Sequence, residues 1–362
     1  MVKISLIEPV GGYGGMDYYD YGLALGLGQN NVQVDYYTSS YTKIREIENV
    51  RTIPIFSDFW SKNTFKKLFL FLFYYYQSIK ISKESGARLI HLHFFSFNPQ
   101  NFLILCLGKI KKLKIVVTIH DVESFSKNIF QFFEKISYPI IDGVIVHNNT
   151  SYNEVVKKDI DKNKIHIIPH GNYIPFVSIN ETRKINKNNS LLNLLFFGQI
   201  KEVKGLDVLL NALGILKPKG INSFKLTIAG KVWKNDFTIY QKLISQNEIE
   251  DNVILDIRYI PDEEVSDFFE RADLVVLPYK RIYQSGVLLN SMSFKKAVLV
   301  SDLEPFKEII NDNENGFVFN SENPSSLADK LIEISDDKDV IEKVASNAYL
   351  YVEKYHDWKT IG

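Results

Sequence analysis

The chain has 362 residues and a mass of 41.8 kDa, which is long enough for two domains that each bury a core. Its formal charge is balanced, with 43 Lys and Arg against 43 Asp and Glu, and this excludes the strongly basic surface of a typical nucleic-acid-binding protein. The single cysteine, Cys106, excludes an internal disulfide and a thiolate metal cluster.

The N-terminal residues enter a strand directly and lack the pattern of a signal peptide. No apolar run reaches the roughly 18 residues that a membrane-spanning helix needs. We therefore expect a cytoplasmic protein.

The chain opens with a βαβ unit. Residues 2–7 and 32–37 have the apolar pattern of buried strands, and between them lie a glycine-rich loop at 9–15 and a helical stretch. This order is typical of a Rossmann-like domain. The loop lacks the full G-x-G-x-x-G spacing, so it is interpreted either as a tight turn or as a loop that approaches phosphate.

Residues 62–83 combine a dense aromatic block with basic flanks. The apolar run from Leu68 to Tyr76 is too short to span a bilayer, so it predicts either a core helix or a helix that lies on a membrane surface with its lysines on acidic headgroups. A second basic cluster at 109–114 lies in the same half of the chain. Both interpretations stay open, with the core helix slightly favoured.

Histidines end three predicted strands of the first half, at 87–93, 114–120 and 143–147. The carboxyl ends of parallel strands form the edge at which α/β proteins bind ligands. A zinc site is disfavoured because the spacings belong to separate strands and no helical H-E-x-x-H is present. His91 and His147 are interpreted as structural.

A second βα series starts with a strand at 194–199, a basic loop containing Lys204 and Gly205, and a helix at 206–216. Such a loop between strand and helix is suited to phosphate. Further strands are predicted at 224–230 and 253–261, with a helix at 262–271.

The stretch 272–302 predicts strand, loop, helix and strand. Ser285 has the side chain of a helix N-cap, and Gly286 lets another molecule approach the backbone. The unpaired N–H groups at such a helix start favour an anion or a set of hydroxyls.

Residues 287–302, the pair Lys204-Gly205 and the segment Thr118-x-His120-Asp121 resemble the corresponding motifs of family 4 glycosyltransferases, which are retaining enzymes. The resemblance implies an α/β, GT-B fold with two Rossmann-like doubly wound domains facing a cleft. The expected divisions are an acceptor-binding domain at 1–176, a linker at 177–193, a nucleotide-sugar-binding domain at 194–345 and a C-terminal helix at 346–362 that crosses back to the first domain.

The resemblance also implies the site residues. His120 is the expected catalytic residue, which reaches the transferred sugar, and Lys204 meets the donor diphosphate. Gly14 and Gly15 form the expected acceptor or phosphate loop. The remaining expected donor-binding residues are Gly198, Gln199, Tyr259, Gln284, Ser285, Gly286, Val287 and Asn290.

Three positions depart from the family pattern. The two glutamates usual in the donor segment are replaced by Ile282 and Asn290, and the usual arginine after the strand glycine is Gln199. Asn290 still has hydrogen-bonding groups for a ribose hydroxyl, although an uncharged acceptor binds it less strongly. Gln284 is placed to replace the lost sugar contact. Candidates for the missing positive charge are Lys201, Lys280 and Arg281.

The favoured hypothesis is a retaining hexosyltransferase that moves a sugar from a nucleotide-diphosphate sugar to a glycan or lipid-linked acceptor in surface polysaccharide or glycoconjugate biosynthesis. It implies no metal, no cofactor besides the donor substrate, and no nucleic acid. Contact with the inner face of the membrane through 62–83 and 109–114 is the second of the two interpretations left open above. The alternative is a catalytically degenerate partner subunit that binds glycan or nucleotide. A nucleotide-sugar epimerase ranks last because the chain offers few candidate carboxylates.

Overall fold

The computed structural model describes residues 1–12, 15–57, 64–121, 129–158, 160–177, 191–220, 223–234, 236–335 and 337–362. The chain divides into two compact units, Met1–Gly171 with His356–Gly362, and Asn172–Tyr355. Most of the predicted linker, residues 178–190, lies outside the described residues.

The described part of the first unit contains a seven-stranded parallel sheet. Its strands are β1 (Lys3–Ile7), β2 (Gln33–Ser39), β3 (Val50–Phe56), β4 (Leu89–Phe94), β5 (Lys114–Ile119), β6 (Gly143–Val146) and β7 (Ile165–Ile167). Its helices include α1 (Gly15–Gln29), α2 (Thr64–Glu84), α3 (Pro99–Ile110), α4 (Ile129–Ser137) and α5 (Asn149–Val156). The central strands are aliphatic and buried because helices cover a doubly wound sheet on both faces.

The described part of the second unit contains a six-stranded parallel sheet. Its strands are β8 (Leu192–Phe197), β9 (Phe224–Ala229), β10 (Val253–Asp256), β11 (Leu274–Leu277), β12 (Ala297–Ser301) and β13 (Phe317–Phe319). Its helices are α6 (Leu206–Leu216), α7 (Thr238–Gln246), α8 (Asp262–Arg271), α9 (Gly286–Ser293), α10 (Glu304–Lys307), α11 (Pro324–Ser335) and α12 (Lys338–Tyr355). The strand predicted from residue 194 begins at Leu192, which is buried and pairs with Phe224.

Each sheet repeats one strand order. The first runs β3-β2-β1-β4-β5-β6-β7 and the second β10-β9-β8-β11-β12-β13, so both contain the 3-2-1-4-5-6 order of doubly wound folds, and the predicted Rossmann-like architecture is confirmed. The order reverses between β1 and β4 in one unit and between β8 and β11 in the other. Ligands of such sheets bind outside the carboxyl ends of the strands at this reversal.

The units divide at residue 171 rather than at the predicted 176. Asn172 Nδ2 donates to Val352 O at 3.0 Å, and Tyr173 N donates to Ser293 Oγ at 2.9 Å. These bonds attach the segment after Gly171 to α12 and α9, and it therefore belongs with the second unit.

The last residues return to the first unit through a short helix, α13 (Trp358–Ile361). Trp358 is 2% exposed. A Cβ placed on Gly22, Gly26 or Gly171 would lie within 2.2 Å of a Trp358 atom. The side chain and backbone of Trp358 therefore fill the space beside these three glycines, where any larger residue would clash. The return begins at His356 and not at the predicted residue 346, since α12 stays in the second unit to Tyr355.

Candidate active site

The loop after β8 brings a lysine back beside the end of its own strand. Gly198 follows β8 with φ +96°, and a 3-10 turn, Glu202–Lys204, leads to α6. A Cβ placed on Gly198 would lie 3.6 Å from Lys204 Nζ and 3.3 Å from Val287 Cγ2. Three residues predicted for the donor site therefore meet at one place.

Gly205 holds this loop against the loop after β11. It has φ +65°, and a Cβ there would lie 1.8 Å from Pro278 O. Lys280 N donates to Val203 O at 2.8 Å across the same contact. Because β8 and β11 flank the reversal of strand order, the lysine loop lies where a doubly wound sheet binds its ligand.

The start of α9 supplies the third element of this site. Ser285 is the N-cap, as predicted, and its Oγ accepts from Leu288 N at 3.1 Å. A Cβ on Gly286 would lie 2.8 Å from Tyr173 Oη. The backbone at Gly286 is therefore approached closely by a phenol hydroxyl, and Cγ2 of the adjacent Val287 would lie 3.3 Å from a Cβ on Gly198.

The cations near the site have different surroundings. Lys204 Nζ lies 5.0 Å from the centroid of the Tyr279 ring and makes no ion pair with a described residue. Lys280 Nζ is bound to Asp207 Oδ2 at 2.7 Å, so the hypothesis that it supplies the missing positive charge is not favoured. Lys201 Nζ lies 5.1 Å from the centroid of the Trp233 ring.

The other predicted donor-site residues lie at the same carboxyl edge of the sheet. Gln199 continues the loop after β8, and Gln284 and Asn290 lie before and within α9; all three are half-buried. Tyr259 follows β10, the edge strand, and is exposed. It therefore lies two strands away from β8.

The first unit contains a cluster of histidines at the carboxyl edge of its sheet. His93 Nδ1 lies 2.9 Å from His120 Nε2, and His91 Nε2 lies 2.7 Å from Thr118 Oγ1. The Tyr19 ring makes edge contacts with four histidine rings, those of His93, His120, His147 and His170, at centroid distances of 4.8 to 5.4 Å. His120 is half-buried and stacks on Phe95 with ring centroids 5.1 Å apart.

Burial keeps these imidazoles neutral. It lowers the pKa of His91 and His147 to about 4 and that of His170 to about 3. The pKa values of His93 and His120 are also lowered well below the usual range, first by desolvation and then by neighbouring histidines. A neutral imidazole has one donor and one acceptor nitrogen, so each ring makes directional hydrogen bonds.

Two buried carboxyl groups lie near each other in this unit, and one of them, Asp20, adjoins the histidine cluster. Burial raises the pKa of Glu8 to about 7 and raises that of Asp20 well above its usual range. Asp20 Oδ2 accepts from Tyr36 Oη at 3.2 Å, while Asp20 Oδ1 lies 3.4 Å from His93 Nε2. Sequence reasoning did not single out Asp20. The available signal was its place beside buried Tyr19, Tyr21 and Ala24 on α1, where a solvated acidic residue is not expected.

The glycine-rich loop is described only in part. Gly14 lies outside the described residues, and Gly15 is the first residue of α1. A Cβ on Gly11 would lie 2.1 Å from Thr38 Oγ1, and one on Gly12 would lie 2.7 Å from the Tyr41 backbone. These two glycines are therefore needed for packing against the segment after β2.

Across the described ranges, no group of three or more His, Cys, Asp or Glu side chains is arranged to hold a metal ion.

Two family models match the chain in succession. The model "Glycosyltransferase Family 4" matches residues 13–172, and the model "Glycosyl transferases group 1" matches residues 178–351. Their junction falls beside the division between the two structural units.

Named relatives and solved structures agree with these models. The chain is 22% identical over 384 residues to D-inositol 3-phosphate glycosyltransferase of Paenarthrobacter aurescens, covering 95% of this chain and 90% of that protein. It is 22% identical over 245 residues to the capsular polysaccharide biosynthesis glycosyltransferase CapM of Staphylococcus aureus, covering 65% and 63%.

Among solved structures, sucrose-phosphate synthase from Thermosynechococcus elongatus superposes with a TM-score of 0.75 at 18% identity, covering 100% of this chain and 96% of that one. Anabaena Alr3699/HepE in complex with UDP-glucose has a TM-score of 0.72 at 15% identity, covering 100% and 97%. The chain therefore belongs to the GT-B glycosyltransferases of the family 4 type.

Proposed function

We propose that this glycosyltransferase takes a sugar from a nucleoside diphosphate sugar and transfers it with retention to a glycan or lipid-linked acceptor. The observation that carries the proposal is the meeting of Gly198, Lys204 and Val287 at the reversal of strand order in the second unit. A loop lysine and a helix start at that place form a site for two phosphates.

The chemistry follows from where charge develops. As the bond to the sugar breaks, the leaving diphosphate gains negative charge, and Lys204 with the N–H groups at the start of α9 stabilises that charge. These groups are in place before the reaction, so this role needs no metal ion. Retention follows the family resemblance, in which the leaving phosphate assists deprotonation of the acceptor and no protein nucleophile is used.

The proposed recognition of the donor sugar differs from that of the usual family member. Asn290 replaces a carboxylate at the ribose contact and Gln284 replaces one at the sugar contact, so neutral amides take over two charged hydrogen bonds. His120 is the proposed contact to the transferred sugar. The HepE structure with UDP-glucose supports UDP-glucose as the first donor to test.

The proposed acceptor is a growing surface polysaccharide, either free or lipid-linked. The similarity to CapM supports this class. The proposed location is the cytoplasm, at the inner face of the membrane. Among the described residues, no helix is both long and apolar enough to cross a bilayer.

Helix α2 supports the membrane contact. One face of it is buried through Tyr75, Ser78, Ile79 and Ser82, which confirms a core role for that face. Four aromatic residues on another face are exposed: Phe65 (88%), Phe69 (67%), Phe73 (42%) and Tyr76 (38%). Their spacing of four, four and three residues places them in one stripe.

Lysines adjoin this aromatic stripe. Lys111 Nζ lies 5.5 Å from the Tyr76 ring centroid, and Lys66 and Lys112 are exposed. Lys109 and Lys114 belong to the predicted cluster but pair with Asp142 at 2.5 and 3.0 Å, so their charge is partly neutralised. Aromatic rings with adjacent lysines suit a bilayer with anionic headgroups.

A donor screen tests the proposal. UDP-, GDP- and dTDP-sugars are compared for a rise in the thermal midpoint of the protein and for release of the nucleotide, with and without EDTA. We expect one nucleotide class to stabilise the protein and its sugar to be turned over in EDTA. The anomeric coupling of the product in proton NMR then reports retention. Inversion, or loss of turnover in EDTA, contradicts the corresponding part of the proposal.

The absence of both family glutamates, at Ile282 and Asn290, favours one second candidate, a subunit that binds nucleotide or glycan without transfer. This candidate predicts nucleotide-dependent stabilisation with no turnover for every donor in the screen. Turnover of any donor excludes it.

A further inference from the structure

A line of three side chains connects the interior of the first unit to the half-buried His120. Asp20 lies on α1, His93 on β4, and His120 follows β5. Asp20 Oδ1 lies 3.4 Å from His93 Nε2, and His93 Nδ1 lies 2.9 Å from His120 Nε2. The ring nitrogen of His120 that is not used by this line is Nδ1.

The inner part of the line is closed to solvent. The side chains of Asp20 and His93 are both 0% exposed. Asp20 Oδ1 and His93 Nε2 are buried atoms with no other hydrogen-bond partner in the described structure. Since a buried polar atom left unpaired costs free energy, these two atoms are each other's natural partner, and a shift of a few tenths of an ångström gives them hydrogen-bonding distance.

In a line of two neutral histidines, the donor-to-acceptor direction of the first hydrogen bond fixes the direction of the next. If Asp20 is a carboxylate, His93 donates to it from Nε2, His120 donates to His93 from Nε2, and His120 Nδ1 is an acceptor. If Asp20 is a carboxylic acid, it donates to His93 Nε2, His93 donates from Nδ1 to His120 Nε2, and His120 Nδ1 carries a proton. One proton on Asp20 thus decides what His120 offers on its outer side.

The surroundings favour the acid. Glu8 and Asp17 both disfavour a negative charge on Asp20, with Glu8 the larger influence because Asp17 is paired with Arg45 Nη1 at 3.5 Å. The hydroxyl of Tyr36 donates a hydrogen bond to Asp20 Oδ2. The phenol of Tyr75 is a further buried neighbour. Burial and the nearby carboxyl groups raise its pKa, so it is neutral and supplies no charge that would stabilise a carboxylate at Asp20. Burial raises the pKa of Asp20 and lowers that of His93, so both groups are neutral.

The groups around His120 do not disturb this arrangement. His91, His147 and His170 are neutral at neutral pH, since burial lowers the pKa of each to about 4 or below. Tyr19 presents the edge of an un-ionised phenol, because burial raises its pKa. His93 is therefore the group that sets the direction of the His120 ring.

We propose that Asp20, as a buried carboxylic acid, fixes the tautomers of His93 and His120 so that His120 Nδ1 offers an N–H donor to an oxygen of the transferred sugar. Asp20 and His93 are positioning residues in this scheme, and only His120 touches the substrate. The role of the sugar rests on the proposed function, whereas the tautomers do not.

The tautomers are measured directly, without any donor. Protein labelled with ¹⁵N-histidine is examined by two-bond ¹H–¹⁵N NMR at about pH 7.5, and His93→Asn and His120→Asn assign the signals. We expect the proton on Nδ1 in both rings. A proton on Nε2 of either ring, or an imidazolium at either position, overturns the proposal. This result stands whether or not the protein transfers a sugar.

Asp20→Asn is the decisive variant. The Tyr36 hydroxyl directs the amide oxygen toward itself, so the amide NH₂ faces His93 and reproduces the donor. We expect the same two tautomers and turnover within about three-fold of the wild type at neutral pH, where a three-fold change is under about 1 kcal/mol. If Asp20 instead acts as a carboxylate, both rings reverse and turnover falls by a factor on the order of 10² to 10⁴, as for a wrong tautomer in a catalytic triad.

The pH profile separates this role from a purely structural one. Ionisation of Asp20 at high pH reverses the donor-to-acceptor direction of the hydrogen bonds through His93 and His120. The wild type should therefore lose turnover on the alkaline side, whereas Asp20→Asn, which cannot ionise, should not. Asp20→Leu, which offers no donor, should lose at least about ten-fold in turnover while the nucleotide still raises its thermal midpoint. An Asp20→Leu protein that folds and turns over like the wild type overturns the proposal.

Discussion

The Nζ atom of Lys204 lies 5.0 Å from the centre of the Tyr279 ring. Tyr279 is 2% exposed and lies two residues after the end of β11, so the ring is a fixed support for an amine that comes from the neighbouring loop. The lysine is half-buried and is held by an aromatic face and not by a carboxylate. Its charge is therefore available to a diphosphate.

Replacing this lysine should remove most of the activity. Lys204→Ala leaves the developing charge of the diphosphate without its cation, and we expect kcat/KM to fall by at least about 100-fold. The rise in thermal midpoint with nucleotide should also be lost. Lys242→Ala is the control, since this lysine lies at an exposed position of α7 away from the loop. Equal losses for the two variants would contradict the role given to Lys204.

Gly205 should tolerate no side chain. Its φ of +65° alone costs alanine about 1 to 3 kcal/mol, and the new Cβ would also lie 1.8 Å from Pro278 O. Gly220→Ala is the control, because Gly220 has φ +74° and nothing within 4 Å of a Cβ. Urea unfolding of the second unit should show a clearly larger loss of stability for Gly205→Ala. Similar losses would mean that the contact between the loops contributes little.

Trp358 should be required for the stability of the first unit. Replacing this 2% exposed indole by alanine leaves a cavity against Gly22 and Gly171, and we expect a loss of about 3 to 5 kcal/mol in the free energy of unfolding. Trp233→Ala removes a residue that is 48% exposed and should cost much less. Denaturant unfolding followed by circular dichroism compares the two variants.

Acid should destabilise the first unit before it affects the exposed carboxylates. The unfolded chain binds protons on its histidines as the pH falls through about 6.5, whereas folded His91 and His147 remain neutral down to about 4. Their stabilising effect is therefore complete above pH about 6.5 and is lost toward pH about 4. Glu8, whose folded pKa is about 7, acts in the opposite direction, but the lowered histidines outnumber the raised carboxyl groups.

The contribution of a single histidine can be measured from the slope of the free energy of unfolding against pH. Each histidine that is neutral when folded contributes up to about 1.4 kcal/mol per pH unit. His147→Asn should reduce the slope between pH about 6.5 and 4.5 by this amount. A slope that His147→Asn does not alter would contradict the neutral state of that ring.

The aromatic stripe of α2 should bind anionic vesicles. The triple variant Phe65→Ser, Phe69→Ser, Phe73→Ser removes the exposed rings, and co-sedimentation with phosphatidylglycerol vesicles should be lost. The control replaces three exposed apolar residues of the second unit by serine: Ile239, Ile254 and Leu350. Wild-type binding should be weaker to phosphatidylcholine and at high salt. Binding retained by the α2 variant would place the contact elsewhere.

The sequence patterns predicted what is locally encoded. The helices at 206–216 and 262–271 and the N-cap at Ser285 are observed at the predicted residues, because apolar period, caps and turn residues act over a few positions. The doubly wound architecture followed from the alternation of such segments.

Pairings between distant segments could not be predicted in this way. Asp20 and His93 are 73 positions apart and meet because β1, which precedes α1, lies beside β4 in the sheet. Lys280 binds Asp207, and Lys109 and Lys114 bind Asp142. A charge cluster counted along the chain does not show which charges are neutralised by partners from elsewhere, and this changed the expectations for the donor loop and for the basic surface.

The seat of Trp358 on α1 has a consequence for synthesis on the ribosome. The first unit is the earlier one to emerge, yet one of its buried side chains is translated after the whole of the second unit. Until that indole arrives, the glycine positions of α1 face an unfilled groove, so the earlier-made unit should mature after the later one. A stop codon placed just before Trp358 should therefore harm the first unit more than the second.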